Sequence, residues 1–281
     1  MTKINTYDNM EADTMTAGNS VVKLTAKTAL KNNWLKCIAA SLSLIFSCLI
    51  SLIAADYASY ISNDAVGYIF LAAVGIFLIF PLFLGVVRFF WRMIFGADDM
   101  QLVIFHYFSD KEKYRRALRL SASLAIRAAG FAAVMFLPAI VIDIFSGVKV
   151  YDMMDIPIPI WTGNLYYLTV FLKTVASVVL FFVMSRYYLA PILVVADEDM
   201  DVAEAMHMSC TLSRDTGLDF IYLIFSFLGW FLVSVLIFPL VFTLPYFMTS
   251  VCVHARFAVA EYNKKVEKNS DSGIPTFSAE I

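Results

Sequence analysis

The stretch "FIYLIFSFLGWFLVSVLIFPLVFTLPYFM" (220–248) contains no charged residue, and its reading decides the fold. One helix over the whole apolar region 219–260 would be about twice the ~20 residues that cross a hydrocarbon core ~30 Å thick. Pro239 and Pro245 fall in its middle, and proline removes a helical hydrogen bond and clashes with the preceding turn. The region therefore reads as two spans, 219–238 and 240–260, joined by a tight hairpin. The same apolar-window criterion gives four more spans upstream, at 34–55, 66–90, 121–145 and 165–190.

Composition agrees. The chain has 281 residues, 60% apolar and only 16% charged, where soluble domains run nearer 45–50% and about 25%. The four cysteines, Cys37, Cys48, Cys210 and Cys252, show no pair spacing. They read as buried inert thiols rather than a zinc site or disulfide framework. The first apolar run starts near Trp34, behind a polar tail, which does not fit a cleavable signal peptide. Of the 21 Lys and Arg, only Lys149 and Lys173 fall outside one set of alternate loops and termini. The positive-inside rule then places both termini in the cytoplasm.

A sentence is written twice. "RFFWRMIFGADDM" starts at Arg88 and "RYYLAPILVVADEDM" at Arg186, each near the inner end of a span, and Arg256-Phe257 is a shorter third copy. The acids of "ADDM" (97–100) and "ADEDM" (196–200) suit helix starts, where a carboxylate caps backbone N–H groups and meets the positive end of the dipole. A short surface helix is expected after each, at 100–108 and 201–213. Between them "SDKE" (109–112) reads as a capping box with Ser109 as the cap. On the outer side "DIPIPIW" (155–161) reads as extended, because its prolines alternate, with Trp161, Tyr166 and Tyr167 at the interface. The expected fold is all-α: three helical hairpins and two cytoplasmic interfacial helices in one membrane domain, 20–268. Flexible tails at 1–19 and 269–281 flank it.

Ala26, Leu30, Lys31, Asn33 and Trp34, with Ser226, Phe227, Gly229, Trp230, Pro245 and Tyr246, match an "A-x-x-x-L-K-x-N-W" element and a late "S-F-x-G-W … P-Y" signature. On these residues the chain resembles an uncharacterised family of bacterial multi-pass membrane proteins. "FLPAIVIDIFSG" (136–147) departs from the Ile-Pro-Gly usual there. The resemblance implies a six-helix integral membrane protein and carries over no catalytic residue.

Candidate chemistry is sparse. Arg88, Arg127, Arg186 and Arg256 lie at inner helix ends. Snorkelling, with the stem in lipid and the guanidinium at the headgroups, accounts for them; the functional alternative is a positive collar binding lipid phosphate or an anionic solute through bidentate hydrogen bonds. Asp143 lies 16 residues beyond Arg127, and Lys173 lies 13 before Arg186. At ~1.5 Å per residue both reach a similar depth, so an intramembrane ion pair is expected, since an unpaired charge there is costly. Glu204 and His207 form one E-x-x-H, whereas di-metal sites need two copies and further carboxylates. His254 could pair with a serine, and lone intramembrane histidines also bond neighbouring helices. H-E-x-x-H, G-x-S-x-G and the phosphate-binding glycine loop do not occur.

The sequence thus points to a non-enzymatic scaffold or accessory factor of the bacterial cytoplasmic membrane. It is expected to need no cofactor and no metal, to contact anionic lipid and a protein partner at the cytoplasmic helices, and not to bind nucleic acid. The alternative is a small transporter or flippase-like protein moving an anionic or lipid-like substrate.

Overall fold

The computed structural model describes residues 18–96, 103–146, 160–234 and 239–268. Helices there are α1 (Asn19–Leu30), α2 (Trp34–Ile61), α3 (Asp64–Val74), α4 (Phe80–Ile94), α5 (Lys111–Ser146), α6 (Ile160–Met184), α7 (Ala190–Ala196), α8 (Val202–Val233) and α9 (Leu240–Lys268). A π-turn, Gly75–Ile79, joins α3 to α4, and 3-10 turns occupy Val103–Phe108 and Ser185–Tyr187. No strand occurs among the described residues. Six helical stretches are long and apolar enough to cross a membrane: Trp34–Ile61, Asp64–Ile94, Lys111–Ile144, Leu165–Ala196, Val202–Val233 and Leu240–Lys265. The chain is an all-helical, multi-pass membrane protein. Its described residues fall into two compact units, one of residues up to Ser121 and from Tyr188 onward, the other Ala122–Tyr187.

The first unit holds most of the core. Helix α1 buries Val22, Ala26 and Leu30, spaced four apart on one face. Val22 and Ala26 pack with Leu223 and Phe227 of α8 and Val253 of α9. The sequence reading placed these residues in the domain without assigning α1 as a helix. Residues of the "A-x-x-x-L-K" and "S-F … P-Y" elements converge here. Lys23 Nζ donates to the Ser226 carbonyl at 3.2 Å and sits 4.7 Å over the Phe227 ring, while Tyr246 meets that ring edge-on at 5.0 Å.

Helices α8 and α9 run antiparallel. Ser234 Oγ donates to Thr243 Oγ1 at one end (3.1 Å), and Lys265 pairs with Asp215 near the other (2.9 Å). Helix α4 ends where Gly96 takes a φ of 79°, a left-handed conformation that costs glycine little and closes many helices. The 3-10 turn Val103–Phe108 then lies against α4. A Cβ on Gly85 would overlap the Ile104 carbonyl oxygen, so only glycine lets these backbones approach.

In the second unit two side-chain contacts link α5 to α6 and the turn after it. Arg127 stacks on the Tyr187 ring at 5.2 Å, and the Lys173 ammonium lies 2.6 Å from the Asp143 carboxylate.

Four local expectations change. The surface helix expected at 201–213 is the first part of α8. Its buried positions, from Val202 through Met206, Ser209 and Leu212 to Phe220 and Phe227, keep helical spacing throughout, so the polar residues mark an outer face rather than a break. The helix expected at 100–108 is a 3-10 turn over its described part, packed on α4 with Val103 and Tyr107 buried. Ser109 does not cap α5. Its hydroxyl donates back to the Phe105 and His106 carbonyls, and Asp110, nearer the helix, accepts from Glu112 N–H at 3.2 Å. Finally, α6 begins at Ile160, so the last two residues of "DIPIPIW" are helical, since no proline follows Pro159 to prevent it. The remainder of that motif and "ADDM" lie outside the described residues.

Candidate functional site

The densest polar cluster forms where the two repeated sentences meet. Helix α4, from the first copy, packs on α7, from the second. Helix α7 is buried from Ala190 to Val195. It ends at Asp197, which closes the following turn by accepting from the N–H groups of Asp199 (2.9 Å) and Met200 (3.2 Å). Asp201 then caps α8 by accepting from Ala203 N–H. Carboxylates in this acidic run thus serve helix ends, as their short side chains and charge favour.

Arginines clamp the turn. Arg116 of α5 donates to the carbonyl oxygens of Asp197, Glu198 and Met200. Arg88 of α4, with only 13% of its side chain exposed, pairs with the Glu198 carboxylate. His106 Nε2 lies 3.6 Å from that carboxylate, and Arg88 also hydrogen-bonds Tyr107. The Arg of the first copy is therefore neutralised by an acid from the second.

Electrostatics follow from this geometry. Burial pushes the Glu198 carboxyl up, but the hydrogen bond and charge of Arg88, with Lys113 and His106, outweigh it and hold it below the usual range. Burial, then the charges of Arg88 and Lys113, press the His106 imidazole below its ordinary value against the opposing pull of Glu198. The Tyr107 phenol is pushed up to about 12, chiefly by burial. The cluster thus holds an ionised carboxylate, a neutral imidazole and a neutral phenol near pH 7. Arg116 and a terminal nitrogen of Arg88 meet protein acceptors, while the buried Arg88 Nε has no hydrogen-bond partner among the described residues.

The other expected site residues are scattered. Arg256 lies 4.9 Å over the Phe95 ring, whereas Arg127 and Arg186 are exposed. The Asp143–Lys173 contact expected from depth is present. His254 Nδ1 lies 3.1 Å from the hydroxyl of Tyr188 rather than that of a serine, and Tyr188 stacks on Phe220 with ring centroids 3.6 Å apart. Glu204 and His207 are exposed, and no group of three or more His, Cys, Asp or Glu could hold a metal ion among the described residues. All four cysteines are free thiols, with Cys37 and Cys252 buried. Glu198 and Arg116, the residues that organise the cluster, were read from the sequence only as parts of charge runs. Repetition of the "ADDM" and "ADEDM" endings was the available signal.

No curated protein and no solved structure matches the chain. A family model does, over residues 15–257, which includes α1, the Arg88–Glu198 cluster, α8 and most of α9. The chain belongs to the protein family of unknown function DUF975.

Proposed function

We propose that this protein is a non-enzymatic scaffold or accessory factor of the bacterial cytoplasmic membrane, with both termini cytoplasmic, contacting anionic lipid and a protein partner. The supporting observation is the division among the arginines. Arg88 and Arg116 are taken up by Glu198 and by the carbonyls of the 197–200 turn, while Arg127 is exposed. An exposed guanidinium held on a ring, as Arg127 is on Tyr187, keeps its fork of donors for phosphate. The clamped turn presents exposed Asp199, Asp201 and Glu204, a fixed acidic surface suited to a basic partner. Juxtamembrane Lys and Arg near an anionic leaflet contribute about 1 kcal/mol each.

Native mass spectrometry of protein released from nanodiscs of mixed phosphatidylglycerol and phosphatidylcholine tests the lipid contact. The wild type is expected to retain phosphatidylglycerol preferentially, and an Arg127→Gln/Arg186→Gln variant to lose that preference. Equal retention by both would remove these arginines as a lipid site. The carrier alternative draws support from Asp143 and Lys173, charges lying within otherwise apolar helices. It requires Lys173 to be reachable by water from both sides of the bilayer, and a Lys173→Cys thiol reactive from one side or neither would count against it.

A further inference from the structure

Strict alternation of six crossings makes a geometric demand. The α2–α3 connection and the α8–α9 connection should then lie on one face of the bilayer, and the starts of α2 and α9 on opposite faces. Helix α2 has 28 residues, so Ile61 lies ~40 Å along the axis from Trp34 at ~1.5 Å per residue. A ~30 Å hydrocarbon core separates such ends.

Contacts within the first unit do not meet that demand. The Phe242 ring, in the first turn of α9, lies 6.2 Å from the ring of Trp34, the first residue of α2. Pro239 is close by, since Phe242 and Thr243 donate their N–H groups to its carbonyl. Farther along α9, Val253 packs with Val22 and Ala26 of α1. Beyond it, Arg256 stacks on Phe95 at 4.9 Å. Phe95 directly follows α4, whose Met93 Sδ accepts from Cys37 Sγ at 3.1 Å, again in the first turn of α2. Phe242 therefore lies beside the start of α2, while Val253 and Arg256 lie against α1 and the residue after α4. A full crossing alongside α2 would carry Phe242 to the neighbourhood of Ile61.

Exposure supports the same arrangement. The exposed apolar side chains of α2 and α3, among them Leu49, Ile50, Leu52, Ile53, Ile69 and Phe70, require lipid between Trp34 and the α2–α3 connection. Among the described residues of α9, Phe242 is the one large apolar side chain that is exposed. Helix α8 is different: Tyr222, Phe225, Trp230, Leu232 and Val233 stay exposed toward the tip. Positive-inside counting cannot detect the difference, because no Lys or Arg lies between Asp219 and Arg256.

We propose that the α8–α9 hairpin does not cross the bilayer. It meets the membrane from the side on which α2 begins, and the exposed face of α8 near the tip is a lipid surface confined to that leaflet. The chain then crosses four times, and its two ends still share a side. Lys31 and Lys36, exposed on either side of Trp34, mark the headgroup level from which the tip enters.

The test asks which ends share a side. Single cysteines at Lys31, Ser62 and Leu240 are placed in the full chain with Cys37, Cys48, Cys210 and Cys252 replaced. Each is labelled with a membrane-impermeant maleimide in intact cells and in inverted vesicles. Leu240→Cys is expected to react from the same side as Lys31→Cys and from the opposite side to Ser62→Cys. Reaction of Leu240→Cys from the side of Ser62→Cys overturns the proposal. Should lipid shield the Leu240 thiol from both sides, a protease site inserted between Pro239 and Leu240 reports the same choice by the side from which it is cut.

Discussion

Arg88 and Arg186 begin nearly the same sentence and end in different surroundings. In the first copy the chain stays helical through the Arg, and Phe89, Phe90, Trp91 and Met93 are buried on α4. In the second the helix breaks. A 3-10 turn takes Ser185–Tyr187, and α7 restarts with Pro191 in its first turn. Proline lacks the N–H needed to continue the preceding helix, yet fits the first turn of a new one. One proline thus turns a repeat of composition into two unlike structures: a long buried helix carrying a largely buried Arg, and an exposed Arg followed by a short core helix. Sequence repetition here encodes a meeting of complementary surfaces, α4 on α7 with Arg88 on Glu198, rather than two equivalent sites.

The largest effect is expected at Arg88. Arg88→Ala leaves Glu198 without its main partner and removes packing from a largely buried position, so a loss of roughly 2–3 kcal/mol is expected, read as thermal unfolding in detergent. Arg186→Ala, at an exposed position, should cost no more than about 0.5 kcal/mol in the same assay. Equal losses would mean that the two copies are equivalent after all.

Asp143 and Lys173 provide a second contrast, a pair within one unit and close in depth. Lys173→Met should destabilise by ~1–2 kcal/mol, and adding Asp143→Asn should recover most of that, because the lone carboxylate is the costly species. A double variant as unstable as the single one would show that the contact does not carry the cost. Arg116→Lys tests the clamped turn. An ammonium lacks the planar fork that spans the carbonyls of Asp197, Glu198 and Met200, so ~1 kcal/mol is expected to be lost. Amide exchange should rise locally at 198–201, leaving α8 beyond Phe220 unchanged.

Acid provides the smallest effect. His106 titrates lower in the folded protein than its ordinary value, so the unfolded chain binds the extra proton first. Its contribution is complete above about pH 6.5 and is lost as pH falls below that value. The Glu198 carboxyl is also lowered; its contribution persists to lower pH and is lost only below about pH 4. Melting temperature should therefore decline modestly from pH 7 to pH 5.5 in the wild type, and His106→Gln should flatten that segment. An unchanged slope would show that His106 does not sense the cluster.

Reading the sequence located the six apolar helices, because long uncharged runs in lipid have few alternatives to helix. Their ends were less legible. Helix α8 starts at Val202 rather than near 219 because helical spacing of buried residues continues through a polar stretch that hydropathy treats as loop. Asp143–Lys173 was legible for a simple reason: two opposite charges in neighbouring apolar helices can be ranked by counting residues from the same interface. Arg88–Glu198 was not, since its partners are far apart in the chain and Glu198 sits among other acids that look the same in sequence. Helix α1 also escaped notice. It is too short and polar to span, and its apolar face is explained only by Phe227 and Val253, which come from the other end of the chain.

By itself, then, the sequence determined membrane residence, helical content, the bias of basic residues and one ion pair, all properties of local composition or of counting along a single helix. Tertiary structure alone decided which arginine is neutralised, that α1 docks on α8 and α9, and that the start of α9 lies beside the start of α2. These depend on which distant surfaces fit. Periodicity says that a face must be buried; only the packed structure says against what.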